Sequence, residues 1–347
     1  MAASRLRSAR SRNWRYATLL VLVLALSGAW VAFWNYAAGK AEEAFTGWRA
    51  REAKSGRIYA CGSQSLAGFP FRIEILCEGA SAVLQGMQPP VEIKAANILV
   101  ASQIYQPTLL ISEVTGPLTI AEAGRPPNFV ANWKLGQSSV RGTPAAPERV
   151  SLVFDTPSFN RVNPAEALLS ARHIEIHGRI AEGSAANRPV IEIAVTAVKL
   201  SAPGAGPLAA APIDADISGV VRGLNDFSPK PWALRFREIQ AAGGRIDIGK
   251  ARLQQGETIA IGSGTLTVNA QGKLDGQIDL AIAGLDAFIN SFTGANRQQG
   301  FGITFGLGLL GGKVTVEGRP AVALPLRVAD GTMYLGPIKI GEVPALF

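Results

Sequence analysis

Only two histidines occur in the chain, and they stand four residues apart in the run Arg172-His173-Ile174-Glu175-Ile176-His177, with a carboxylate between them. Imidazole and carboxylate are zinc ligands, so the cluster invites a metal reading. Ile174 and Ile176, however, alternate with the polar residues as in a strand. At about 3.3 Å per residue the two histidines lie roughly 13 Å apart at Cα, too far to share an ion held at about 2.0 Å without a bend. The expectation is a solvated polar strand face and no metal site. With no third imidazole, a Ser-His or Cys-His nucleophile system has almost no raw material, and no G-x-S-x-G elbow occurs.

Asp214 with Asp216, and Asp275 with Asp279, share strand faces by the same alternation and have the form of acid-base pairs. Carboxylates on the polar side of a strand are the default, and nothing lifts these above it. Gly306, Gly308 and Gly311 match G-x-G-x-x-G, but Lys313-Val314-Thr315-Val316 then reads as strand, where a dinucleotide site needs a helix N-terminus. Gly244, Gly249 and Lys250 have P-loop spacing, but Ala251 replaces the magnesium-binding Ser/Thr and Arg245 to Ile248 alternates like a strand. No catalytic residue, no cofactor and no enzymatic activity are expected.

The elements that position these residues begin with a membrane segment. Arg5, Arg7, Arg10, Arg12 and Arg15 precede an uncharged stretch from Tyr16 to Gly39. Its apolar part, Tyr16 to Trp34, is 19 residues long. At about 1.5 Å per residue it matches the roughly 30 Å hydrocarbon core. Cationic residues are retained in the cytoplasm, and beyond the span Lys40, Glu42 and Glu43 nearly cancel. The expected topology is therefore single-pass in the inner membrane, N-terminus cytoplasmic and the remainder periplasmic. Ser27-Gly28-Ala29 offers a signal-peptidase site, so cleavage is the alternative. Retention is favoured because the apolar run continues past Ala29, because Trp30, Trp34 and Tyr36 resemble an interfacial aromatic belt, and because a further helix follows without a break. In that helix Ala37, Ala41, Ala44, Phe45 and Trp48 form one stripe, and Gly56 can end it.

The net charge of +8 does not mark a nucleic-acid binder, because removing the five leading arginines leaves +3, spread thinly along the chain. The basic arm suits anionic lipid headgroups instead. Cys61 and Cys77, the only cysteines, fall beyond the span, where an oxidising compartment argues for a disulfide. Two buried free thiols remain the alternative.

Past residue 56 period-two alternation dominates, as at Phe71, Ile73, Ile75 and Cys77, at Ile191, Ile193 and Val195, and at Ile278, Leu280 and Ile282. The fold class is mainly β: long, curved antiparallel sheet with a few short helices, expected near Pro164–Ala171, Pro231–Ala242 and Leu285–Phe292, plus the N-terminal transmembrane helix. Asp330-Gly331 signals a two-residue hairpin. The organisation is then a basic arm (1–15), an anchor (16–38), an amphipathic helical connector (39–56) and a β-rich domain (57–347), either one unit or two lobes with a linker near 201–213. One-sided strands need a cover, and few helices are available. Either the sheet closes on its own core or its apolar face holds something apolar.

The run Cys61-Gly-Ser-Gln-Ser-Leu-Ala-Gly68-Phe69-Pro70-Phe71-Arg72-Ile-Glu-Ile-Leu-Cys77 resembles the opening of domain-of-unknown-function family 2125, alphaproteobacterial proteins behind a single membrane span. Leu324 to Pro344 resembles its closing hairpin. That resemblance carries no catalytic residue. More loosely, Gly262 to Leu285 is similar to the strand-turn-strand pattern of AsmA-like envelope proteins. The similarity implies envelope maintenance or lipid handling through a groove; the expected partners are the bilayer, through the N-terminal span, and a bound lipid or an envelope protein, and the thin spread of charge excludes nucleic acid. The alternative function is a periplasmic scaffold or protein-interaction module with a closed β core.

Overall fold

The computed structural model describes residues 7–143, 146–184, 187–205, 209, 211–227, 230–287, 289 and 311–347. Helix α1 (Arg7–Lys54) runs 48 residues without interruption, about 70 Å, so anchor and connector are one element. Its segment from Trp14 is long and apolar enough to cross a membrane. Arg7, Arg10 and Arg12 fall in its first turns and Arg15 follows, while Arg5 lies outside the described residues. Residues 14–33 are exposed on every side. From Trp34 onward one stripe is covered: Trp34, Ala37, Ala38, Ala41, Phe45 and Trp48 recur at i+3 and i+4. Ala44, expected on that stripe, is exposed, and Ala38 next to it is the most buried. The Gly56 amide donates to the Ala53 carbonyl at 3.0 Å, and the helix ends there.

The rest is one antiparallel sheet. Strands β1 (Arg57–Ala60) and β2 (Ser63–Ala67) both pair with β3 (Arg72–Leu84), which leads through β4 (Val91–Gln103) to β5 (Gln106–Glu122). Next come β6 (Phe129–Asn132), β7 (Leu135–Thr143), β8 (Ala146–Asp155), β9 (Ser158–Arg161), β10 (Glu166–Ser170) and β11 (His173–Ile180). The order across the sheet is β5–β7–β8–β11, continuing to β12 (Ile191–Leu200), β13 (Ile213–Arg222) and β14 (Arg245–Gln255). Strands β15 (Thr258–Val268) and β16 (Leu274–Ala283) follow. The sheet ends in β17 (Gly312–Val316), β18 (Arg319–Ala329), β19 (Thr332–Leu335) and β20 (Ile338–Glu342). Strands β12 and β13 pair directly, so the sheet is continuous across the 201–213 stretch.

A crease crosses the sheet. Strands β6, β9 and β10 pair with one another beyond the ends of β7, β8 and β11, which they prolong with a break of two residues each: Trp133-Lys134, Thr156-Pro157 and Ala171-Arg172. Trp133 fills it, its indole donating to the Val114 carbonyl at 2.7 Å and its ring packing edge-on against Phe154. Farther along, the pairing shifts register between β12 and β13, β13 and β14, and β14 and β15, the irregularity that bulges introduce and that bends and twists a strand. Between β15 and β16 the backbones approach so closely that a Cβ on Gly264 would stand 2.1 Å from the Gln277 carbonyl oxygen, leaving room for glycine alone.

One expected helix is a strand. Residues 166–170 form β10, paired with β9 as a hairpin, where a helix was expected over Pro164–Ala171. Ala and Leu favour helix, but ladder pairing outweighs a local preference worth a few tenths of a kcal/mol per residue. Helix α2 (Trp232–Ala241) forms as expected, starting after Pro231, and the Gly244 amide closes it on the Ile239 carbonyl. Asp330 and Gly331 both have positive φ and link β18 to β19, the two-residue hairpin their types require. The expected helix over Leu285–Phe292 falls partly, and Gly306 and Gly308 wholly, outside the described residues.

Packed cores occur at one end of the sheet. Ile282, Leu285, Ile289, Leu324 and Leu335 form one cluster, and Ile259, Ala283, Val316 and Ala321 another, all from β15 onward. The chain exposes 21256 Å². A compact protein of 36.5 kDa would expose roughly 13,500 Å². Helix α1, exposed on every side over residues 14–33, contributes to that excess, and among the described residues the strands in the middle of the sheet are mostly half-buried.

Candidate functional site

Alternation puts apolar side chains on one face, and register aligns them from strand to strand. Val140, Val150, Gly178, Ile193, Gly219 and Ile248 oppose one another in sequence across β7, β8, β11, β12, β13 and β14. The neighbouring row is Ser138, Leu152, Ile176, Val195, Ile217 and Ala251, and it continues through Gly262 to Leu280 and Leu324. At the C-terminal end this face is sealed: Ile282 is 1% exposed and Leu324 3%. In the middle it is not. Ile176 is 36% exposed, the other residues of the two rows from β7 to β14 are only half-buried, and Leu253, two residues beyond Ala251 on the same face, is 39% exposed. The face is thus an apolar strip left half-exposed across six strands, here called the trough, with a packed core at one end.

The opposite face carries the polar residues singled out from sequence. The His173 ring bonds Asp155 at 2.6 Å through Nδ1 and Glu175 at 2.7 Å through Nε2. The other Glu175 oxygen meets His177 Nε2 at 3.1 Å, and His177 Nδ1 meets Ser151 Oγ at 2.9 Å. Glu175 therefore bridges the two rings that strand spacing keeps apart. The bond to Glu175, with that to Asp155, raises the His173 pKa above the usual imidazole value, and His173 followed by His177 lowers that of Glu175. Among the described residues no group of three His, Cys, Asp or Glu has metal-binding geometry. Asp214 and Asp216 are taken up by ion pairs with Lys199 and Lys250. Asp275 accepts from Asn269 and from the Asp330 amide, and Asp279 from Gln277. Gly249 and Lys250 lie within β14, extended, so no loop forms there to cradle phosphate.

At the other end of the trough the sheet meets α1. Helix and first strands run antiparallel: Trp48 stacks on Tyr59 with centroids 4.8 Å apart, Arg49 reaches Gln64, and the β2–β3 turn meets Trp30 and Trp34. Trp34 Nε1 donates to the Arg72 carbonyl at 2.9 Å and Trp30 Nε1 to the Pro70 carbonyl at 3.0 Å. Phe69 packs edge-on against Trp34, and Phe71 packs at a tilt against Trp30. These two indoles therefore bind the hairpin, a role their spacing in the helix did not reveal. Tyr36 is 66% exposed, with the Lys40 ammonium over its ring. Cys61 and Cys77 stand at disulfide distance, Cα atoms 5.3 Å apart, and tie the β1–β2 junction to β3 just behind this turn.

The sequence from Trp34 to Pro344 matches the model of a bacterial family described as an uncharacterized protein conserved in bacteria, DUF2125. The chain belongs to the DUF2125 family. Its family region opens on Trp34, the residue that binds the hairpin, and takes in the cysteine pair, the Gly68–Arg72 turn and the whole trough. No curated protein matches this DUF2125 chain.

Proposed function

We propose that this protein is a non-enzymatic, membrane-anchored component of the bacterial envelope that handles lipid along the apolar face of its sheet. One observation carries the reading: aligned apolar rows cross the middle of the sheet half-exposed, while the same face is sealed at its C-terminal end. Monomeric proteins rarely leave large contiguous apolar surface in water, and such surface marks a binding site. Acyl chains match it because they ask for area and no directed hydrogen bonds. The residues best suited to chemistry are engaged with one another on the opposite face. The arginines before the span orient it, leaving the sheet in the periplasm. The similarity of Gly262–Leu285 to AsmA-like envelope proteins agrees with this use.

Purification of the full chain from membranes in mild detergent, followed by lipid extraction and mass spectrometry, tests the reading. Phospholipid retained in stoichiometric amount, after detergent exchange that strips a single-span control, is the expected result. A lipid-free protein that crosslinks in membranes to one stoichiometric protein would instead favour the scaffold reading, with the trough covered by that partner.

A further inference from the structure

Two turns at the same end of the sheet carry exposed aromatic residues. Phe69 is 53% and Phe71 60% exposed in the β2–β3 turn, and Tyr105 is 72% exposed in the β4–β5 turn beside it. The Ile104 amide donates to the Phe71 carbonyl at 3.1 Å, so the two turns are one unit. That unit is held at a defined height on α1. The apolar run of the helix ends at Trp34, and Trp30, one turn deeper by about 6 Å, receives Phe71. Whatever membrane surrounds residues 16–34 must reach the turn.

The backbone of the unit suits such a place. Pro70 has no N–H, the Arg72 amide is bonded to the Gly68 carbonyl at 2.9 Å, and the Ile104 amide to Phe71. The Pro70 and Arg72 carbonyls accept from the two indoles. Unpaired backbone groups are costly away from water, and here those donors and acceptors are satisfied. Gly68 closes the turn at φ +103, where an added Cβ would stand 2.7 Å from the Arg72 carbonyl oxygen. Charge flanks the unit suitably. At the same end of the sheet Arg141 opposes Arg149, which opposes Arg179, and neither Arg141 nor Arg149 has an acidic partner among the described residues. Like charges directly opposite are destabilising in water, and anionic headgroups relieve them.

We infer that the Gly68–Arg72 and Ile104–Tyr105 turns are a membrane-docking surface, their aromatic side chains immersed in the outer leaflet of the bilayer that α1 crosses. The surface fixes the sheet's near end against the lipid, so that the trough opens beside the bilayer. The inference rests on the membrane-anchor part of the proposed function and is independent of lipid carriage in the trough.

The test uses the full chain in vesicles of phosphatidylethanolamine and phosphatidylglycerol. Phe69→Cys, Phe71→Cys and Tyr105→Cys each supply one free thiol for a nitroxide label while Cys61 and Cys77 stay paired. Arg125→Cys, in the turn at the opposite end of β5 and about 50 Å away, is the aqueous control. Collision with oxygen should exceed collision with a water-soluble nickel complex at the three turn positions, with the order reversed at residue 125. Vesicle flotation reads the anchor separately. A chain that floats but shows the aqueous order at 69, 71 and 105 overturns the docking surface and leaves the anchor standing; a chain that does not float overturns both. Immersed labels on a protein that retains no phospholipid support the docking surface and count against lipid carriage alone.

Discussion

The Trp34 indole donates to the Arg72 carbonyl at 2.9 Å across 38 positions of the chain, joining the end of the apolar helix to the first turn of the sheet. Replacing Trp34 by Phe keeps a ring against Phe69 and removes this donor. A net hydrogen bond is worth about 1 kcal/mol. Trp34→Phe should therefore speed amide exchange of Arg72 and Ile104 roughly five- to tenfold, with β12 to β16 unchanged. Hydrogen exchange followed by mass spectrometry reads this, and uniform acceleration across the sheet would mean that the contact is not local.

Cys61 and Cys77 close a loop over a separation of 16 residues. Chain entropy alone gives about 3 kcal/mol for such a loop. The double variant Cys61→Ala with Cys77→Ala should lose roughly 2–3 kcal/mol against denaturant, and reductant should shift the parent protein by a similar amount while leaving the variant unmoved. A parent insensitive to reductant would show that the two sulfurs are not bonded to each other.

The His173–Glu175 pair gives a pH dependence whose sign follows from the shifts. The His173 pKa is raised above 6.5, so its contribution is complete below 6.5 and lost as pH rises through the folded value. The Glu175 pKa is lowered below 4.5, so its contribution is complete above 4.5 and lost as pH falls through the folded value. The pair is strongest between pH 4.5 and 6.5. Both side chains are partly solvated, so screening leaves only about 0.5 kcal/mol. Denaturant titrations of the parent and of Glu175→Gln should differ most inside that window and converge as pH rises through the folded His173 value; a constant difference across the whole range would assign the effect to packing.

Much of this fold is legible in the sequence because its signal is local. Alternation at Ile174, Ile176, Ile193 and Val195 sets strand and face, and Asp330-Gly331 sets a hairpin, each within a few residues. What escaped is non-local. Pro164–Ala171 reads as helix because Ala and Leu dominate it, and only the pairing of β10 with β9 overrides that preference. Trp30, Trp34 and Tyr36 read as one belt facing lipid headgroups. Two of the three also bond the hairpin, and nothing within the helix says that Pro70 and Arg72 will return to meet them. Whether the apolar face is open or sealed was beyond alternation altogether, because Ile176 and Ile282 occupy equivalent positions in their strands and differ only in what folds over them.

That contrast makes the sharpest prediction. Ile282 is 1% exposed within the C-terminal core, and Ile282→Ala should cost about 2–4 kcal/mol through lost burial and the cavity left behind. Ile176 lies on the same continuous face but is 36% exposed. Placing a carboxylate there with Ile176→Glu leaves the charge in reach of water, so the sheet should keep most of its stability, with a loss near 1 kcal/mol. The consequences for lipid should run the other way. A charge in the middle of the trough removes the apolar path an acyl chain would lie on, so Ile176→Glu should lose retained phospholipid, whereas Ile282→Ala should keep it under conditions where it remains folded. Denaturant titration and lipid mass spectrometry on the same preparations separate the two effects. If Ile176→Glu kept its full complement of lipid, the acyl chains would have to lie elsewhere and the trough would no longer account for them.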